Sequence, residues 1–142
     1  CGSRFGCHTM FIKENKLYYS YNFLGIGDEQ KFVSNGLKAG KYIFGVEFNK
    51  EKRGQYQEWH GTTKLYINDK VVAQGPMQTM TGHFSLCGEG LCIGYDGADP
   101  VSKEYAPGFK FSGGTIEKVV FDVADDAYID LERHMQAAMM RD

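Results

Sequence analysis

The residues that could do chemistry in this sequence fall into small groups, and each group admits a plainer structural role. Cys87 and Cys92 flank Gly88-Glu89-Gly90 and would sit on paired strands. A cross-strand disulfide is then geometrically allowed, provided the Cα atoms fall within about 4.4–6.8 Å. Two buried free thiols are the plainer alternative. His83 together with Cys87 and Cys92 supplies metal-binding atoms but lacks the tight Cys-x2-Cys knuckle of structural zinc sites. Cys7 beside His8 suggests a thiol nucleophile and its base, yet adjacent strand residues point to opposite faces, which keeps the two apart.

Among the acids, Glu47 stands alone in an apolar strand, on the side opposite Phe44 and Phe48. A glycoside hydrolase needs two carboxylates roughly 5–9 Å apart. No Glu-x-Asp-x-x-Glu-like run supplies the second, so Glu47 is expected to face solvent. A small glycosidase-like enzyme remains an alternative that requires the fold to bring another acid close. Asp96, Asp99, Ser102 and Glu104 form an oxygen-rich loop with Gly97 for flexibility. Calcium takes roughly six to eight oxygens at about 2.3–2.6 Å, and it is the one cofactor this sequence suggests; ordinary turn chemistry explains the same residues. Tyr56, Trp59 and His60 lie in a polar stretch and form the best exposed aromatic group, with a polar neighbour suited to a sugar ring. Folding back onto the domain is the plainer role. Tyr18, Tyr19 and Tyr21 could also present ring faces, but strand alternation sends some of them inward.

The elements that must position these groups are short strands. The chain has 142 residues, enough for one domain, and its 42% hydrophobic and 24% charged content is ordinary for a globular protein. Nine Tyr, ten Phe and eighteen Gly tilt the composition toward strands and tight turns. A net charge of −2 gives no general attraction to nucleic acid or anionic membrane, and basic residues do not interleave with aromatics into a nucleic-acid stripe. No apolar run approaches the ~20 residues of a membrane span. The chain begins at Cys1 rather than Met, which reads as a cut-out domain, or as a mature lipoprotein; cytoplasm and periplasm both stay open.

Period-two patterning predicts strands over residues 9–13, 17–24, 31–35, 41–49, 62–67, 71–75, 83–87, 91–95 and 114–123, with residues 50–61 a polar loop and 96–109 irregular. In the second of these, Leu17, Tyr19, Tyr21 and Phe23 share one face. Residues 129–140 change period: Ile129, Leu131, Met135, Ala138 and Met139 fall near one helical face, behind a cap from Asp125 or Asp126. That many short strands bury their faces as two stacked antiparallel sheets. The expected fold is an all-β jelly-roll sandwich of the lectin and glucanase type with a short C-terminal helix.

Several runs also resemble one family. Tyr21-Asn22-Phe23-Leu24-Gly25, within residues 17–25, looks like the opening hairpin of the C-terminal region of bacterial arylsulfatases. Thr63-Lys64-Leu65-Tyr66-Ile67-Asn68-Asp69-Lys70-Val71-Val72-Ala73 resembles its strand–turn–strand, and Gly88-Glu89-Gly90-Leu91-Cys92-Ile93-Gly94 its next hairpin. Asp99-Pro100-Val101-Ser102-Lys103-Glu104-Tyr105 resembles its irregular loop, and Phe109-Lys110-Phe111-Ser112-Gly113-Gly114-Thr115-Ile116-Glu117-Lys118-Val119 its closing strand. The blocks follow family order across residues 5–133.

This resemblance implies a concanavalin A-like sandwich appended to a sulfatase α/β domain, where the chemistry sits on a formylglycine made from Cys or Ser beside calcium. That machinery has no matched positions here. Cys1-Gly2-Ser3-Arg4 lacks the Pro of the sulfatase signature and is one residue short, and Cys87 and Cys92 stand where acids are commoner. The chain at residues 1–142 is therefore expected to be a single accessory domain without catalytic residues. Its expected partner is a sulfatase catalytic domain or another protein surface, with a glycan as the alternative.

Overall fold

The computed structural model describes residues 7–80, 90–97 and 99–122. Among them the chain is all β, in two three-stranded antiparallel sheets and a two-stranded ribbon. The first sheet contains β1 (His8–Lys13), β2 (Lys16–Tyr21) and β3 (Gln30–Gly36) in that order. The second contains β4 (Phe44–Arg53), β5 (Trp59–Ile67) and β6 (Lys70–Thr79), and the ribbon pairs β7 (Tyr95–Asp96) with β8 (Phe109–Lys110). Both three-stranded sheets are meanders of consecutive strands; the described strands make no crossover connection.

Local chemistry fixes the register. Glu14 and Asn15, at φ of 50° and 58°, form the two-residue turn that pairs Lys13 with Lys16. Left-handed φ at both positions matches the right-handed twist of the flanking strands. Asn68, at φ 54°, opens the β5–β6 turn, and its Oδ1 accepts the Ile43 N–H at 3.0 Å while its own N–H donates to Ile43 O at 2.6 Å.

Alternation then selects a core. Leu17, Tyr19 and Tyr21 of β2 project with Phe32 of β3 toward Leu65 and Met77 of the second sheet, and these six make the buried cluster. Phe32 packs over Gly75, where an added Cβ would lie 3.3 Å from its ring. Gln30 stitches β3 to β6 by reciprocal bonds: Nε2 donates to Gln78 O at 2.8 Å and Oε1 accepts Gln78 N–H at 2.7 Å. Tyr21 hydroxyl accepts the Met80 N–H at 2.9 Å. The two sheets thus share one core. The expected face of Leu17, Tyr19 and Tyr21 is the inner one.

The opposite face of the first sheet is covered as well. Phe11 and Ser20 project there and are 7% and 0% exposed. Residues 99–109 lie across this face as a third layer: Phe11 meets Tyr105 edge-on at 4.8 Å between centroids and Phe109 at 6.1 Å, while Tyr105 and Phe109 stack at 4.5 Å.

Several element bounds differ from the sequence-based ones. β4 begins at Phe44 because Tyr42 folds back, its hydroxyl donating to Lys38 O at 2.9 Å, and Ile43 bonds Asn68 instead of a ladder partner. β4 and β5 run on to Arg53 and back from Trp59, so the expected loop over 50–61 shrinks to a turn. Only Tyr95 of the expected 91–95 strand pairs. Residues 114–122 form no strand; Val119, Val120 and Phe121 are consecutive, so alternation gives them no single face to bury, and all three are exposed. The expected strand at 83–87 and the helix at 129–140 lie outside the described residues.

Ser20 hydroxyl, fully buried beneath the third layer, has no hydrogen-bond partner among the described residues. A buried unsatisfied hydroxyl costs about 1–3 kcal/mol. Ser20→Ala is therefore expected to raise stability by about 1 kcal/mol in urea unfolding; a destabilised variant would contradict this.

Candidate functional site

The oxygen-rich loop offered either a calcium site or ordinary turn chemistry, and its oxygens bond within the chain. Asp96 Oδ2 accepts the Val101 N–H at 3.1 Å and the Tyr105 hydroxyl proton, while the Tyr105 oxygen accepts the Thr9 hydroxyl at 3.0 Å. Ser102 Oγ donates to Glu29 Oε2 at 2.7 Å, and Glu29 Oε1 accepts the Lys103 N–H at 2.5 Å. Glu104 is clasped between two strands, 2.6 Å from Lys31 Nζ and 3.3 Å from Lys13 Nζ. Asp96, Asp99, Ser102 and Glu104 are not gathered as ligands, and among the described residues no three His, Cys, Asp or Glu side chains group as a metal site. The loop is a fastening.

Its electrostatics agree with that role. Hydrogen bonds from Lys31 and then Lys13 hold the Glu104 carboxyl below its ordinary value. Burial, then the bond to Asp96, raises the Tyr105 hydroxyl well above the usual phenol value. A carboxyl so lowered stabilises the fold above its unfolded value and loses that contribution as pH falls through the folded one.

The cysteines rearrange the expectation. Cys92 is a free thiol, so the Cys87–Cys92 disulfide is not formed; residues 90–94 hold no strand and thus no cross-strand position for Cys92. Cys7 is the oxidised cysteine among the described residues, and its partner lies outside them, as do His83 and Cys87. Oxidation leaves Cys7 no thiolate for nucleophilic work beside His8. The His8 ring lies against Tyr21 and Tyr19 at 4.5 and 5.9 Å, with Nδ1 2.5 Å from the Tyr19 hydroxyl, and the desolvation this causes lowers its pKa.

Tyr56, Trp59 and His60 flank Glu58 at the end of the β4–β5 hairpin, and Glu58 ties Tyr56 to His60 but not to Trp59. The Glu58 side chain, 11% exposed, reaches back: Oε2 accepts the Tyr56 N–H at 2.8 Å and Oε1 meets His60 Nε2 at 3.1 Å. Its carbonyl accepts the Gly54 N–H at 2.8 Å, and its own N–H with His60 holds the carboxyl below the ordinary value. Gly54 leaves room for this arrangement, since an added Cβ would sit 1.9 Å from Glu58 Oε1 and displace that carboxylate. Tyr56 is left 72% exposed on this pinned turn. Trp59 and His60 belong to β5, on opposite faces. A bulge between Lys50 and Lys52 resets the alternation of β4, so Lys50 and Arg53 both reach Trp59, at 5.0 and 4.7 Å from its ring centroid.

No family model, curated protein or solved structure matches this chain.

Glu47 faces out from the second sheet as expected, bonded by the Tyr66 hydroxyl at 2.6 Å and by Asn49 at 3.0 Å. Sequence reasoning missed Glu58, Lys50 and Arg53, whose run Lys50-Glu51-Lys52-Arg53 ahead of Gly54 marks a charged hairpin end. It also missed Glu29, which reaches the loop only through the fold.

Two outcomes follow for the fastening. Tyr105→Phe keeps the ring stacking but strips the buried Asp96 and Thr9 of a partner, and should cost about 2–3 kcal/mol in urea unfolding; an unchanged midpoint would show that the hydroxyl carries nothing. In thermal melts from pH 7 down, the native chain should lose stability as pH drops below the ordinary carboxyl value of 4.5. Glu104→Gln should start lower at pH 7 and fall less steeply in that window; parallel curves would exclude Glu104 as a source.

Proposed function

We propose that this chain is a non-catalytic accessory module, a concanavalin A-like sandwich of the kind found at the C-terminus of bacterial arylsulfatases, which packs on a catalytic domain or another protein surface. The observation that carries this reading is the use of the loop resembling the family's irregular loop. Its acids and hydroxyls fasten a covering layer to the first sheet instead of converging on open space. The other ordered resemblances support it: residues 17–21 of the opening block form β2, and Thr63 to Ala73 falls on β5, its turn and β6. A partner surface would find apolar area ready, because Leu91, Ile93, Tyr95, Val119, Val120 and Phe121 are all exposed, at 44–68%. Exposed apolar runs of this kind commonly mark interaction sites.

The second reading, carbohydrate binding through Tyr56, Trp59 and His60, is favoured by one observation, the exposed Tyr56 on a turn immobilised by Glu58. Rigid aromatics bind at low entropic cost. A jelly-roll topology belongs to the first proposal alone. The Cys7 disulfide favours the oxidising periplasm over the cytoplasm; thiol counting on protein recovered from each compartment separates the two.

The isolated chain should give no turnover of an aryl sulfate with or without added calcium, and should bind a separately expressed sulfatase catalytic domain in sedimentation runs. Metal-dependent cleavage by the chain itself, or absence of any association, would overturn the accessory reading.

A further inference from the structure

We propose that the open edge of β4 from Phe44 to Phe48 is a dimerisation site, which takes the same edge of a second copy of this chain as an antiparallel neighbour centred on Val46. The inference needs this chain alone and stands apart from the accessory and carbohydrate readings.

Backbone directions in the second sheet follow from two observations on β6. Both backbone groups of Gln78 are bonded by the Gln30 side chain, so Gln78 faces away from β5. Pro76, which has no N–H, shares that parity and faces the same way. His60 and Thr62, opposite them on β5, therefore turn their N–H and C=O groups toward β4. Across the β4–β5 register, Asn49, Glu47 and Gly45 then face β5, while Phe48, Val46 and Phe44 point outward. The bond from the Asn68 N–H to Ile43 O agrees, since Ile43 has the inward parity. Among the described residues β4 has one neighbouring strand, and these three outward pairs of groups meet no partner.

A free edge invites pairing unless something obstructs it. The other edge of the same sheet is obstructed: Gln30 occupies β6 at Gln78, Pro76 removes a donor, and a bulge interrupts the register at Leu65 and Tyr66. β4 shifts register only between Lys50 and Lys52, so Phe44 to Phe48 runs regularly, without proline, lysine or bulge. The side chains there are open as well. Phe44, Val46 and Phe48 share the inner face, but β3 packs against β6 and β5, and the cover thins over β4. Val46 is 39% exposed, whereas Leu65, its neighbour on β5, is fully buried.

The register singles out a second copy as the occupant. Antiparallel strands pair outward residues with outward residues, and a two-fold axis at Val46 does so for all three. Phe44 then meets the partner's Phe48, and Val46 meets the partner's Val46, so apolar side chains face apolar ones. On the other face Glu47 lies opposite the partner's Gly45, and no acid faces an acid. An axis at Glu47 would set two carboxylates directly against each other, and one at Phe48 would set Val46 against a lysine. Gly45 fits this use. Its φ is not left-handed, and an added Cβ would lie 3.7 Å from Tyr66 Cβ, an ordinary contact, so its own chain does not require glycine there. Glycine inside a strand often marks the close approach of another backbone. So short a ladder buries less than the roughly 800 Å² per partner of a standard interface, which makes this dimer weak and concentration-dependent.

The test uses the full chain with no other protein present. Sedimentation velocity from the micromolar to the millimolar range should show a reversible monomer–dimer equilibrium. Over that range hydrogen exchange of the Phe44, Val46 and Phe48 amides should slow with concentration, while the outward Val71 amide of β6 should not respond. Val46→Pro removes the central outward N–H without breaking a bond to β5, and should weaken dimerisation by about tenfold or more, with circular dichroism unchanged. Val46→Lys should do the same by setting two cations opposite each other, whereas Val71→Lys on β6 should dimerise as the native chain does. A chain that stays monomeric at every concentration would overturn the proposal. So would a dimer that survives both Val46 variants, which would place the contact on another surface, or growth past the dimer, which a closed two-fold contact forbids. None of these outcomes bears on aryl sulfate turnover or on binding to a catalytic domain.

Discussion

Burial of β2 on both of its faces is the constraint on which the rest of this structure depends. A strand in a three-stranded antiparallel sheet ordinarily has one wet side. Here Leu17, Tyr19 and Tyr21 are sealed by the second sheet, and Ser20 and Asn22 are sealed on the other side. The second seal has to come from chain without regular structure, whose backbone polar groups must find partners of their own. Asp96, Ser102 and Glu104 answer that need from within the loop, and Thr9, Lys13, Asn22, Glu29 and Lys31 answer it from the sheet. The same polar atoms that looked like a cation cage are thus the means by which an irregular segment can lie on a sheet at all.

Function divides along the same line. Buried acids at the loop are consumed by internal donors, which suits a scaffold. At the other focus, the β4–β5 tip, internal hydrogen bonds do the opposite work: Glu58 immobilises the turn so that Tyr56 remains outside and the cations stay over Trp59. One set of bonds closes a surface, and the other presents one.

How much of this could be read from the sequence depended on whether the signal was local. The β1–β2 hairpin, the inner face of β2 and the β5–β6 turn were all legible, because alternation and Asn-rich turns act within a few residues. The outward Glu47 was legible for the same reason. Calcium ligation by the loop was not separable from fastening, since the deciding partners Lys13, Lys31 and Glu29 lie more than seventy residues away in sequence. Trp59 and His60 were read as loop residues because the charged run before them looks polar, whereas it forms strand with a bulge. Val119, Val120 and Phe121 carried strand propensity without strand periodicity, and propensity lost.

The central claim is that the 99–109 layer seals the outer face of the first sheet as part of one cooperative fold. Native-state hydrogen exchange of the Tyr18 and Ser20 amides, followed against low concentrations of urea, addresses it directly. A sealed strand gives both amides the free energy and the urea dependence of global unfolding, equal to those of Leu65 in the second sheet. Exchange at markedly lower free energy with little urea dependence would mean that the layer lifts off by itself, and the account would fail.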